Sequence, residues 1–207
     1  MNKIFKLNLA LATLAILIPA LGCANKGDVV PVSMSWNAPP EMQIDATKSY
    51  RAVFETSMGK FEIELWAADA PLTVNNFVFL ARQGFYDGTV FHRVVREFVI
   101  QGGIGAAGDP GYTFPDELPP RQLYEAGIVA MANRGPNTNS SQFFVCTGYQ
   151  STSLNNFPNY TQFGKVISGM DVVTKIAAVV VDYNPELKEM SRPINPPKIN
   201  KVTIFES

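Results

Sequence analysis

Six residues, Lys60-Phe61-Glu62-Ile63-Glu64-Leu65, alternate charged and apolar side chains without a break. Successive side chains of an extended strand point to opposite faces, so a period of two gathers Phe61, Ile63 and Leu65 on one face. Lys60, Glu62 and Glu64 fall on the other. A helix would scatter the same residues around its circumference. Just upstream, Arg51-Ala52-Val53-Phe54-Glu55-Thr56 is separated from this run by Ser57-Met58-Gly59, a turn-forming triplet. The two runs read as a strand pair with one face to bury.

Helical periodicity appears twice downstream. Asp69-Ala70-Pro71 opens the first helix, with proline in the first turn, where its missing N–H costs nothing. Val74, Phe77, Val78 and Ala81 then recur at i, i+3, i+4 and i+7 as one buried stripe, and Gly84 ends the helix. The second helix is predicted over 169–177, with Met170, Val173 and Ile176 inward. Short strand candidates occupy 89–95, 97–101, 127–132, 142–147 and 162–167. A proline-rich loop over 184–197 precedes a last strand at 198–205. Many short strands with only two helices predict a mainly β fold built as a closed antiparallel barrel, an architecture without exposed sheet edges.

The first residues are a different kind of sequence. Lys3 and Lys6 precede an apolar run over 7–21, too short for a comfortable membrane span and matching a secretory core. Ala20-Leu21-Gly22-Cys23 then resembles a bacterial lipobox, which makes residues 1–22 a lipoprotein signal peptide and Cys23 the lipidated N-terminus. An ordinary cleaved signal peptide with Cys23 incidental is the alternative. Two or three acyl chains, at about 0.8 kcal/mol per buried methylene, would hold such a protein on a membrane. The expected location is therefore the bacterial cell envelope. Ala24 after Cys23, rather than aspartate, points to the outer membrane facing the periplasm where a cell has two. Residues 23–49, with Gly27, Pro31, Pro39 and Pro40 and no sustained period, read as a tether spanning roughly 28 Å as a flexible coil. Met34, Trp36 and Met42 offer it a way to pack onto the domain that follows, residues 50–207.

Composition narrows the chemistry. With 17 basic against 18 acidic residues and no basic run beyond the N-terminus, nucleic-acid binding by phosphate neutralisation is a poor reading. One histidine, His92, and two cysteines, Cys23 and Cys146, build neither a zinc cluster nor a disulfide framework. No metal and no cofactor is expected.

Two stretches carry polar groups among apolar ones. Val90-Phe91-His92-Arg93-Val94-Val95 runs on to Phe98-Val99-Ile100-Gln101-Gly102-Gly103 and reads as a β-hairpin. Met131-Ala132-Asn133-Arg134-Gly135-Pro136-Asn137-Thr138-Asn139-Ser140-Ser141-Gln142-Phe143-Phe144 adds two amide side chains and a phenylalanine pair. Together they resemble the substrate groove of the cyclophilin family of peptidyl-prolyl cis-trans isomerases, and the resemblance extends over about residues 50–205. It implies eight strands in the closed barrel and an α-helix over each open end. It also implies action on proline-containing polypeptides, and a monomer is expected.

By the same resemblance Arg93 matches the catalytic arginine, and Gln101 matches the glutamine that orients it and bonds the substrate backbone. Phe98 and Phe144 match the aromatic floor of the proline pocket, and Leu154 its leucine. Ala132, Asn133 and Gln142 match the opposite wall, while His92 matches a buried, hydrogen-bonded histidine beneath the groove. Val99 stands where the family usually has methionine, and Tyr160 where many members have a second groove histidine. Ser153 stands where many have the tryptophan that binds cyclosporin, and the segment 148–160 is a few residues longer than usual. Weaker cyclosporin binding than in tryptophan-bearing members is expected. The implied function is isomerisation of Xaa-Pro bonds in exported or envelope proteins. A non-catalytic proline-peptide-binding module or envelope chaperone is the alternative, supported by Val99, Tyr160 and the altered loop.

Overall fold

The computed structural model describes residues 34–207. The expected signal peptide over 1–22, the expected lipidation site Cys23 and the first part of the expected tether lie outside the described residues. The strand pair forms where the alternation put it, as β1 (Tyr50–Thr56) and β2 (Gly59–Leu65). Phe54 and Phe61 face each other across this ladder and their rings stack at 4.7 Å. Phe61, Ile63 and Leu65 are buried, as the period of two requires.

The first helix, α1 (Pro71–Arg82), buries Val74, Phe77, Val78 and Ala81 against the sheet. Its N-terminus has no cap in its own sequence. Glu117, far downstream, accepts the Leu72 and Thr73 N–H groups at 2.9 and 2.8 Å and the Thr73 hydroxyl at 2.7 Å. A carboxylate there satisfies orphan donors and complements the helix dipole. The strands that follow are β3 (Arg93–Val95), β4 (Val99–Gly102), β5 (Ile128–Met131), β6 (Phe143–Cys146) and β7 (Gln162–Ser168). The second helix, α2 (Met170–Ala177), starts after Gly169, whose φ is 79° and whose missing Cβ would lie 2.5 Å from the Lys60 carbonyl oxygen. Only glycine fits there. Val173 and Ile176 are buried, as the periodicity predicted, and Met170 packs half-buried against the core.

With β8 (Val181–Asn184), β9 (Glu189–Pro193) and β10 (Ile199–Glu206) the strands are complete, and the main sheet runs β10-β1-β2-β7-β5-β6-β4-β3, all antiparallel. The expected closed barrel is therefore corrected to an open half-barrel. Its edge strands β3 and β10 share no ladder. The edges meet only through an isolated bridge, Val90 with Lys198, and a few flanking bonds such as Phe91 N–H to the Pro197 carbonyl at 2.9 Å. Pro196 and Pro197 precede β10 and have no N–H to donate, so a regular ladder loses its donors there and only accepted bonds remain.

Three further expectations change. The predicted loop over 184–197 contains most of a separate hairpin, β8 with β9, which packs against the β3 edge. The Asn184 side chain turns that hairpin by accepting the Glu186 and Leu187 N–H groups at 3.0 and 3.3 Å. A 3₁₀ helix, Tyr149–Asn156, forms in the segment read as a long loop. The tether is bound to the domain from Met34 onward. The Trp36 N–H donates to the Pro110 carbonyl at 2.7 Å, and its ring meets Phe79 edge-on at 5.1 Å. Asn75 of α1 accepts the Gln43 N–H at 2.7 Å, and Ile44 is buried, although Met42 stays exposed. Among the described residues, no helix is long and apolar enough to cross a membrane.

Candidate active site

Strand register builds the site. Arg93 of β3 pairs with Gln101 of β4, Gln101 pairs with Phe144 of β6, and Phe144 pairs with Ala130 of β5. Cross-strand partners share a face, so these four side chains form a row over one side of the sheet. Their strand neighbours Val94, Ile100, Phe143, Val145 and Val129 point the other way, into the main core. Val99, Phe144, Ala130, Ile128 and Cys146 instead form a second buried cluster on the opposite face, with Trp66 and Tyr124. Phe98, Ala132, Leu154 and Tyr160 pack against its margin. A chain with a single core would have no such floor.

Above that cluster lies a cavity of about 1020 Å³. Every residue picked out from the sequence as catalytic or substrate-binding lines it: Arg93, Gln101, Phe98, Val99, Ala132, Asn133, Gln142, Phe144, Leu154 and Tyr160. The apolar part is Phe144, Val99, Leu154 and Phe98, with the Tyr160 ring edge-on to Phe144 at 5.4 Å. Of the wall residues, Ala132 and Gln142 are joined by a backbone bond, Ala132 N–H to the Gln142 carbonyl at 2.9 Å. The Asn133 amide donates to the Asn159 carbonyl at 3.0 Å. Ser153 is exposed and does not line the cavity.

A chain of polar contacts crosses the floor. Arg93 Nη1 donates to Gln101 Oε1 at 3.3 Å, Gln101 Nε2 to Gln142 Oε1 at 3.2 Å, and Gln142 Nε2 to Asp109 Oδ1 at 3.3 Å. The guanidinium also sits over the Phe98 ring, 5.8 Å from its centroid. On its other side Arg93 meets Glu189 of β9, Nε to Oε1 at 2.6 Å and Nη2 to Oε2 at 3.2 Å. Hydrogen bonding from Arg93 holds the Glu189 carboxyl below its usual range, against a smaller effect of partial burial. Glu189 was not foreseen, because nothing local marks a glutamate in a presumed loop as the partner of an arginine 96 residues away. Asp109 and the hairpin tip, Asn184, Glu186 and Leu187, are further lining residues with no local signal.

His92 departs from expectation. It is half-buried, lines the cavity beside Arg93, and its buried Nδ1 has no hydrogen-bond partner among the described residues. Burial, with the neighbouring Arg93 charge, lowers its pKa and favours the neutral ring. Cys146 lies in the floor cluster as expected for a small buried residue, and burial pushes its thiol up to about 12. Among the described residues no group of histidine, cysteine and carboxylate side chains could hold a metal ion.

Comparison with known proteins identifies the family. The family model for cyclophilin type peptidyl-prolyl cis-trans isomerases matches residues 51–204. The peptidyl-prolyl cis-trans isomerase CYP18-2 of Arabidopsis thaliana is 39% identical over 159 residues, which are 73% of this chain and 92% of the relative. A spliceosome-associated protein CWC27 homolog of Danio rerio is 40% identical over 166 residues, 76% of this chain but 33% of that longer protein. A crystal structure of a Cryptosporidium parvum cyclophilin type peptidyl-prolyl cis-trans isomerase, in the presence of the dipeptide Ala-Pro, superposes with a TM-score of 0.64. It is 29% identical and aligns with 76% of this chain and 99% of its own. The half-barrel, the row of side chains over its outer cluster and these matches have one reading: this chain belongs to the cyclophilin-type peptidyl-prolyl cis-trans isomerases.

Proposed function

We propose that the cavity accelerates rotation about Xaa-Pro bonds, with Arg93 as the catalytic donor. The observation carrying this is the single register row, in which a part-buried guanidinium stands beside an apolar floor. Amide resonance sets a rotation barrier of about 18–20 kcal/mol. Rotation breaks no bond and moves no proton, so neither a nucleophile nor the neutral His92 is required. The floor of Phe144, Val99, Leu154 and Phe98 takes the proline ring, and Arg93 donates to the twisted amide where water is partly excluded. Gln101 and Gln142 hold the extended chain. Lowering the barrier by about 7–8 kcal/mol corresponds to roughly 10⁵–10⁶-fold acceleration.

A second reading, proline-peptide binding without useful turnover, draws support from two features. Glu189 offsets the charge of Arg93, and one relative is named for the spliceosome rather than for isomerisation. NMR exchange spectroscopy on an Ala-Pro peptide with catalytic amounts of protein separates the two. Cross-peaks between the cis and trans signals support catalysis. Shifted peptide signals without them favour the binding module.

Substrates and place of work follow from the N-terminal pattern. Lys3, Lys6, the apolar run over 7–21 and Cys23 support an exported, lipid-anchored enzyme acting on envelope proteins. Mass spectrometry of the mature N-terminus tests this: a diacyl- or triacyl-cysteine at Cys23 is the expected result, and an unmodified chain retaining Met1 contradicts it.

A further inference from the structure

The hairpin β8–β9 does more than cover a sheet edge. It brings Glu189 against Arg93 from the side away from Gln101. A guanidinium has five N–H donors in a fixed plane. Glu189 takes two of them, on Nε and Nη2, and Gln101 takes one, on Nη1. One N–H on each of Nη1 and Nη2 is then left without a partner in these contacts. Asn184, Glu186 and Leu187 of the same hairpin line the cavity, and Glu189 does not. A carboxylate blocking the arginine would stand on the cavity side. Glu189 is absent from that lining and meets the Nε–Nη2 edge of the guanidinium, whereas Gln101 meets Nη1.

We propose that Glu189 is a positioning residue for the isomerase reaction: its carboxylate braces Arg93 along that edge, so that the two remaining donors face the prolyl amide. This rests on the catalytic reading of Arg93. The bracing is specific to geometry. A bidentate carboxylate fixes the guanidinium plane, whereas a single contact leaves it free to swing about the Cδ–Nε bond. Three anchored donors also mean that little ordering of the side chain remains to be done when substrate arrives.

The test uses Glu189→Gln, Glu189→Ala and Arg93→Ala, each as the full chain, with kcat and KM measured separately on an Xaa-Pro peptide. Glu189→Gln keeps the size of the side chain and one acceptor but loses the second. Bracing predicts a fall in kcat of about three- to ten-fold with KM nearly unchanged, and a larger fall for Glu189→Ala. In the double variant Arg93→Ala/Glu189→Gln no further loss beyond Arg93→Ala is expected, since the brace acts only through that arginine. The Arg93 Nε–Hε signal in ¹⁵N NMR gives a readout that hairpin stability alone does not move. It is sharp and slowly exchanging in the native protein and shifts or broadens in Glu189→Gln. Glu189→Gln with kcat equal to or above the native value overturns the inference, as does an Arg93 Nε–Hε that exchanges freely in the native protein. If Arg93→Ala is fully active, the catalytic reading falls first and the brace with it. If Arg93→Ala is impaired while Glu189→Gln is not, only the brace falls.

Discussion

Arg93 and Gln101 are direct partners across the β3–β4 ladder, and Arg93 Nη1 donates to Gln101 Oε1 at 3.3 Å. Gln101 is thus held between the arginine and Gln142, able to orient the one through its carbonyl and the other through its amide. Replacing Gln101 by alanine removes both contacts and leaves the guanidinium one anchor short. The expected loss in kcat/KM is about ten-fold, equivalent to about 1.4 kcal/mol of transition-state stabilisation. Steady-state rates on an Xaa-Pro peptide check it; a loss below two-fold would mean that the glutamine is a bystander.

Phe144 serves packing and site together. Its ring is 5% exposed, belongs to the outer cluster and forms the floor of the cavity. Truncating a buried phenylalanine to alanine costs about 3–5 kcal/mol. The open cavity above the ring should keep Phe144→Ala near the lower end, read as a fall in the urea midpoint. Phe144→Leu should keep most of the stability while KM rises, because the floor loses its flat surface.

The Glu189–Arg93 pair gives stability a defined acid dependence. Arg93 lowers the folded-state pKa of Glu189. A lowered carboxyl pKa contributes stability that is whole above the unfolded value, about pH 4.3 for glutamate, and is lost as pH falls through the folded value. Both side chains keep partial solvent access, so the contribution is modest. The difference in urea midpoint between native protein and Glu189→Gln should hold steady at neutral pH and close in stronger acid. A difference that persists unchanged at the acid end would contradict the pairing.

Cys146 should be inert in the native protein. Burial raises its thiol pKa to about 12, leaving almost no thiolate at neutral pH, and the side chain is fully buried. Peptide mapping after iodoacetamide treatment should find Cys146 unlabelled without denaturant and fully labelled in urea. Ready labelling of the native protein would show that the floor cluster opens.

The elements most legible in the sequence were those with local periodicity. The Lys60–Leu65 alternation gave β2 and its partner because only a strand sorts those residues by face, and the stripe from Val74 to Ala81 gave α1 for the equivalent reason. Eight residues that line the cavity, Arg93, Phe98, Val99, Gln101, Ala132, Asn133, Gln142 and Phe144, were legible through resemblance of two ordered stretches, and the register explains why those stretches belong together. What stayed hidden depends on contacts between distant segments. Glu117 capping α1, Asn75 holding residues 40–43, and Glu189 meeting Arg93 all pair groups more than 30 positions apart. The β8–β9 hairpin was masked by Pro185, Pro193, Pro196 and Pro197, which read as loop residues although its turn is set by Asn184. Barrel closure was over-read, because a count of strands cannot reveal that two prolines stop the last ladder.

The most direct measurement is the protease-coupled isomerisation rate of a short Xaa-Pro peptide by the native chain, Arg93→Ala and Arg93→Lys. Catalysis by a fixed guanidinium predicts a fall of at least about a hundred-fold for Arg93→Ala, with Arg93→Lys recovering little because an ammonium lacks the planar fork. A native chain no faster than Arg93→Ala would contradict it.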